Sequence, residues 1–260
     1  MNQKQEYIKS HYETNKKKIY VLYEFLEKNQ NHSKSYLSKC LKCLLFDSFS
    51  AKEKLFRLFI SSINAAGGNN LHYTGEACKK FFEDLKRLPN PNKKTLSNIE
   101  FFNLYSDSKN KISNFEDYFR YINSQKRYKN FGKKKTALFI RDIKLFDSIS
   151  EERIFKEEIP ETHIKIPLDI VLATVLNLIL GLKKFPIEPA RDFDLINSFL
   201  KDFNSLIIDD IWFWGHFTLQ KENRFRIVKI NEDMIYSDKY LWQDNIPFKQ
   251  FEEFIKIVNS

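Results

Sequence analysis

The sequence predicts an all-α protein, and two observations support this fold class. Its 260 residues include only 6 glycines and 7 prolines, the two residue types that most often interrupt helices. Apolar residues also recur at intervals of three and four in several segments, which is the spacing of one helix face. A chain of this length can bury a sizeable core, either as one large domain or as two packed lobes.

The first half of the chain is predicted to contain several amphipathic helices. Apolar residues spaced among many Lys and Glu residues predict the first helix over residues 4–29. Ser50 and Glu53 form a capping-box pattern, which predicts a helix that ends at Asn64. Four further helices are expected over residues 33–49, 74–88, 95–104 and 108–121.

The second half is predicted to contain the most apolar helix of the chain. Ile166 and Pro167 lead into it, because proline is favourable near a helix start, and the helix is expected to end near Gly181. Asp209 or Asp210 is expected to cap a later core helix. Further helices over 133–147, 192–206 and 248–258, and a short extended segment over 224–230, complete the predicted elements.

The charge of the chain suggests a polyanionic partner. The 43 Lys and Arg residues against 34 Asp and Glu residues give a formal net charge of +9. Such an excess is typical of proteins that bind nucleic acid, although a lysine-rich proteome would produce it equally well.

Cysteine and histidine usage indicates a reducing compartment and no metal site. Three cysteines cannot form a complete disulfide framework, and the polar N-terminus does not resemble a signal peptide, so we expect a cytoplasmic protein. Cys40 and Cys43 lack the second ligand pair of a zinc site, and the five histidines are scattered. The longest apolar run, Ile170–Leu182, is too short to span a bilayer, so no membrane partner is expected.

Two short motifs carry the strongest functional signal. The first is Gly132-x-x-Lys135-Thr136-Ala137-x-Phe139, and the second is Ile166-Pro167-Leu168-Asp169, in which Asp169 lies 34 positions after Lys135. Together they resemble the lysine and aspartate motifs of the helix-hairpin-helix DNA glycosylase superfamily. Within it they are most similar to the archaeal-type 8-oxoguanine glycosylases. The resemblance is clearest over residues 55–217 and weaker in the first 50 residues.

The resemblance implies a two-lobed helical fold with an active-site cleft between the lobes. One lobe would span about residues 65–165, including the hairpin and Lys135, and the other would combine 1–64 with 166–260. It also implies excision of 8-oxoguanine from double-stranded DNA, followed by strand cleavage through β-elimination. No cofactor is expected, and the protein would act as a monomer associated with the nucleoid.

The chemistry explains why a lysine and an aspartate are needed. A lysine amine can attack the sugar C1′ and persist as a Schiff base if it is deprotonated, which neighbouring Lys133 and Lys134 would favour. A carboxylate, here Asp169, would stabilise the positive charge that develops on the sugar and manage protons. Without the resemblance, Lys135 would be interpreted as a solvated lysine and Asp169 as an ordinary helix-start carboxylate.

Base recognition and phosphate binding supply the remaining candidate residues. An enzyme of this kind extrudes its target base and stacks it on aromatic side chains. Phe139 lies one helical turn after Lys135, and the resemblance places a second stacking residue near Trp212 or Trp214; each of these could instead belong to the core. Asn64 is a candidate polar reader of the base.

The candidate phosphate-binding hairpin departs from the family pattern. The family hairpin is rich in glycine, whereas here only Gly132 precedes Lys135 within the motif. Lys133 and Lys134 are expected to compensate by electrostatic attraction to phosphate. Two alternatives to the 8-oxoguanine assignment stay open: a glycosylase for another damaged base, and a non-catalytic helical DNA-binding protein on the same scaffold.

Overall fold

The protein is predominantly helical, as the sequence predicted. The computed structural model describes residues 3–45, 48–65, 71–90, 92–222, 225–238 and 246–260. The helices are α1 (Gln3–Lys28), α2 (Gln30–Leu44), α3 (Ala51–Asn64), α4 (Leu71–Lys86), α5 (Asn98–Phe102), α6 (Phe115–Ser124), α7 (Lys133–Ile149), α8 (Ile170–Leu180), α9 (Pro189–Phe199), α10 (Ser205–Thr218), α11 (Glu232–Ser237) and α12 (Phe248–Asn259). Within the described part of the chain, every helix is too short or too polar to cross a lipid bilayer.

Local capping signals predicted several of these boundaries correctly. Ser50 caps α3 through a capping box, in which its Oγ accepts a hydrogen bond from the Glu53 amide and its own amide donates to Glu53 Oε2 at 2.7 Å. The structure shows a second capping box, formed by Ser97 and Glu100 at the start of α5, which was not predicted from the sequence. Gly181 ends α8 in the left-handed conformation, with φ of 66°.

Other predicted boundaries were wrong. The cap of α10 is Asn204, which accepts from the amides of Leu206 and Ile207, while Asp209 and Asp210 lie buried inside the helix. By contrast, the expected extended segment over 224–230 is confirmed, because it contains strand β2 (Phe225–Val228), which pairs with β1 (Leu219–Glu222) in an antiparallel hairpin. Arg224 itself lies outside the described residues.

The chain divides into two units, one of which is discontinuous in sequence. Unit 1 comprises residues 1–39 and 168–260, and unit 2 comprises residues 40–167. Unit 2 therefore includes α3, which we had expected to belong with the chain termini. Unit 2 contains 24 Lys and Arg against 16 Asp and Glu, a formal charge of +8, whereas unit 1, with 19 against 18, carries +1.

The core of unit 1 surrounds α8 and α10. Helix α1 packs on α8, α10 and α12, and α8 packs directly on α10. The contact between α8 and α10 is close at Gly215, where an added Cβ would lie 2.5 Å from Val171 Cγ1. Glycine is favoured there because a larger residue would collide with the Val171 side chain of α8.

The core of unit 2 is an aromatic cluster between α3, α4 and α7. Helix α3 packs on α4 and α7, and α6 packs on α7. Phe59 stacks on Phe81 with ring centroids 4.1 Å apart and on Phe131 at 4.4 Å. Because Phe131 lies directly before Gly132, the N-cap of α7, this cluster holds the chain in place next to the start of α7.

Candidate functional site

Lys135 lies in an environment that favours an uncharged amine. It is the third residue of α7, and only 7% of its surface is exposed. Burial lowers the pKa of Lys135 below its ordinary value, and the positive charge of Lys134 lowers it further. A lysine with a lowered pKa has a larger neutral fraction at physiological pH, as a nucleophile requires.

The start of α7 is also a favourable place for an anion to bind. Gly132 occupies the N-cap and has no side chain with which to cap the helix, and the first turn contains Lys133, Lys134 and Lys135 but no acidic residue. The first amides of a helix have no intrahelical acceptor and carry the positive end of its dipole. Lys133 is exposed and Lys134 half-buried, so both can contribute charge to phosphate binding.

The turn before α7 adopts left-handed conformations without glycine. Lys126 has φ of 44° and Asn130 has φ of 59°. Asparagine tolerates this region better than other non-glycine residues. At Gly132, by contrast, φ is −86° and an added Cβ would meet no described atom within 4 Å. The left-handed residues of this turn are thus Lys126 and Asn130, and Gly132 is not sterically required.

Asp169 is the N-cap of α8 rather than a residue of its first turn. Its Oδ1 accepts a hydrogen bond from the Leu172 amide at 2.8 Å, and 8% of the residue is exposed. The interpretation as a helix-start carboxylate therefore holds for this oxygen. Capping orients the carboxylate rigidly, which is compatible with a role in charge stabilisation.

His216 lies near Asp169 and was missed by sequence reasoning. Burial lowers the pKa of His216, and the carboxylates of Asp238 and Asp169 act in the opposite direction. The half-buried Trp212 stacks on His216, with ring centroids 5.0 Å apart and an interplanar angle of 19°. The spacing of four residues between them could have indicated this pair, since such residues share a helix face.

Two of the predicted base-stacking residues belong to the core. Phe139 is 0% exposed and meets Phe59 and Phe81 edge to face. Trp214 is also 0% exposed and packs against Phe25. Neither ring presents a face to a ligand in this structure, so we correct both assignments. The cause is helix packing, which buries large aromatic side chains to remove apolar surface from water.

The remaining candidates differ in accessibility. Trp212 is half-buried on α10, and Asn64 is exposed at the end of α3. Lys135, the start of α7 and Asn64 belong to unit 2, whereas Asp169, Trp212 and His216 belong to unit 1.

The described residues contain no group of three or more potential metal ligands. Comparison with protein families, curated proteins and solved structures finds no match to this chain.

Proposed function

We propose that this protein is a DNA glycosylase with abasic-site lyase activity, which excises 8-oxoguanine from double-stranded DNA through a Schiff base on Lys135. The observation that carries the proposal is the buried amine of Lys135, whose pKa is lowered at the start of a basic helix. The motif resemblance gives that amine its role. We further propose that the protein acts as a monomer associated with the nucleoid.

In the proposed reaction, the neutral Nζ of Lys135 attacks the sugar C1′. The bond between C1′ and the base nitrogen breaks, and the base leaves with that electron pair and gains a proton. Nζ then loses a proton as the sugar ring opens and O4′ gains one, which yields a Schiff base. Loss of a proton from C2′ expels the 3′ phosphate, and water finally releases the lysine.

Asp169 has a separate role in this proposal. Its carboxylate would stabilise positive charge that develops on the sugar as the base leaves. Lys135 of unit 2 and Asp169 of unit 1 must then act on one nucleotide, as in a two-lobed glycosylase fold with a cleft. This requirement makes Asp169→Asn informative, because it preserves the size of the side chain while removing its charge.

Borohydride trapping tests the proposal directly. Borohydride reduces a Schiff base to a stable amine, so wild-type protein should form a covalent adduct with a duplex that contains one 8-oxoguanine. Lys135→Gln should form none. Lys52→Gln is a matched control, because Lys52 also lies in the first turn of a helix of unit 2, and it should trap as wild type does.

The outcomes separate the proposal from its rivals. Absence of both an adduct and a strand nick with wild-type protein would refute the lyase assignment. Trapping that survives in Lys135→Gln would place the nucleophile elsewhere. The trapping rate should rise with pH as the amine loses its proton, with a midpoint below the ordinary pKa of lysine.

A different damaged base is the first alternative. The burial of Phe139 and Trp214 removes two of the predicted base contacts, so the lesion is less constrained than the nucleophile. A panel of duplexes, each with one damaged base, compares excision rates and assigns the substrate.

A non-catalytic DNA-binding protein is the second alternative. The concentration of charge in unit 2, at +8, would support phosphate binding without any chemistry. Such a protein would lose affinity steeply with salt and would not distinguish damaged from undamaged duplexes.

A further inference from the structure

We propose that Asp84 is a positioning residue that holds the turn before α7, and with it the start of the helix that carries Lys135. This inference rests on the proposed function, because the position of that turn matters only if α7 presents its lysines to DNA. Asp84 lies near the end of α4 and is 6% exposed. Nothing in the motif resemblance involves it.

The turn is attached to Asp84 by two consecutive residues. Arg127 makes a bidentate contact, in which Nη2 donates to Asp84 Oδ1 at 2.6 Å and Nε donates to Oδ2 at 3.0 Å. The Tyr128 hydroxyl donates to the same Oδ2 at 2.6 Å. Although burial opposes its charge, hydrogen bonding to Asp84 raises the pKa of Arg127, so the guanidinium stays charged.

This attachment lies between the two left-handed residues of the turn. Lys126 and Asn130, with φ of 44° and 59°, flank Arg127 and Tyr128 in the chain. Left-handed backbone is unfavourable for L-residues and persists where surrounding contacts determine it. The bonds to Asp84 supply such contacts, because they anchor the turn from a buried carboxylate.

The anchored turn leads directly into α7. The ring of Tyr128 meets the ring of Phe59 edge to face, with centroids 5.2 Å apart. Phe131 stacks on the ring of Phe59. Gly132 and the lysines of the first helical turn follow at once. A displacement of the turn would therefore move the start of α7, and small errors in the position of a nucleophile reduce rates steeply.

Three variants separate positioning from general stability. Tyr128→Phe removes one bond to Asp84 and keeps the ring in the aromatic cluster. Asp84→Asn removes the charge that Arg127 faces. This variant is the harsher one, because it leaves a half-buried guanidinium without its carboxylate partner. Arg87→Gln is the control, since Arg87 contacts Asp84 Oδ1 at 3.0 Å from the residue that directly follows α4, and it lies outside the turn.

Two measurements are made on each full-length variant, at a temperature where circular dichroism shows it folded. The first is amide hydrogen exchange over residues 125–136. The second is the single-turnover borohydride-trapping rate on a duplex with one abasic site, recorded across pH. Tyr128→Phe should raise exchange in that segment by about tenfold or more. It should also slow trapping by a similar factor and shift the pH midpoint, because the surroundings of Lys135 change.

The outcomes distinguish this inference from the proposed function. The positioning role of Asp84 would be overturned if Tyr128→Phe and Asp84→Asn exchanged their amide hydrogens over residues 125–136 as slowly as the wild type. It would also be overturned if Arg87→Gln raised the exchange rate in that segment as much as they do. Altered exchange with an unchanged trapping rate and pH midpoint would also overturn it. If wild-type protein does not trap DNA, the proposed function fails, while exchange still decides whether Asp84 holds the turn.

Discussion

Replacement of Gly215 by alanine tests the close contact between α8 and α10. The new Cβ would lie 2.5 Å from Val171 Cγ1, whereas ordinary contacts begin at 3.4 Å, so the Val171 side chain or the helix that carries it must shift by about 1 Å. Overpacking of this kind costs about 1–3 kcal/mol. The better helix propensity of alanine offsets about 1 kcal/mol of that cost. We therefore expect Gly215→Ala to lower the free energy of unfolding by up to about 2 kcal/mol.

Urea unfolding followed by circular dichroism measures this loss. Gly75→Ala is the matched control, because Gly75 lies within α4 and an added Cβ there would meet no described atom within 4 Å. It should raise the free energy of unfolding by about 0.5–1 kcal/mol. The two glycine substitutions should thus have opposite signs.

A double variant identifies the contact responsible. Val171→Ala removes Cγ1, so Gly215→Ala should cost less in that background than in the wild type. Equal costs in both backgrounds, or a Gly215→Ala variant as stable as wild type, would refute the argument. Because Val171 lies two residues after Asp169, Gly215→Ala should also reduce the trapping rate.

Two further predictions concern single residues. Burial raises the pKa of Asp147 to about 6, although hydrogen bonds from the Ile154 and Phe155 amides oppose the shift. Since the folded state binds this proton more tightly, its stabilising contribution is complete below pH 4 and is lost as pH rises through 6. Wild type should therefore lose about 3 kcal/mol relative to Asp147→Asn over this range in urea unfolding; parallel pH profiles would contradict this. Lys126 has φ of 44°, a conformation that glycine adopts more easily than alanine. The free energy of unfolding of Lys126→Gly should therefore exceed that of Lys126→Ala by about 1 kcal/mol, with a higher melting temperature, which is the reverse of the order in a helix. Equal melting temperatures would show that the left-handed backbone carries no strain.

Local signals were sufficient to predict much of the helical order. The Ser50–Glu53 capping box correctly predicted both the start and, with the following apolar pattern, the extent of α3. Such a box involves groups only three residues apart, so its geometry can be recognised from sequence. The same is true of the end of α8 at Gly181, where glycine meets the need for a left-handed residue.

Features that depend on distant contacts could not be predicted in this way. Helix periodicity places Phe139 on the face of Lys135 but does not show that Phe59 and Phe81 cover its ring. The bond between Tyr128 and Asp84 joins residues 44 positions apart. Asp210 resembled a helix cap, but the helix begins earlier, at Asn204, and carries this carboxylate within its length.

The discontinuity of unit 1 has a consequence for the order in which the protein folds. Helix α1 is synthesised before unit 2, whereas its partners α8, α10 and α12 follow the whole of unit 2 in the chain. Its apolar face, which includes Ile8, Ile19 and Leu22, therefore stays exposed to solvent or bound by a chaperone while unit 2 folds. We expect unit 1 to form last, in a slow step governed by closure of a long loop.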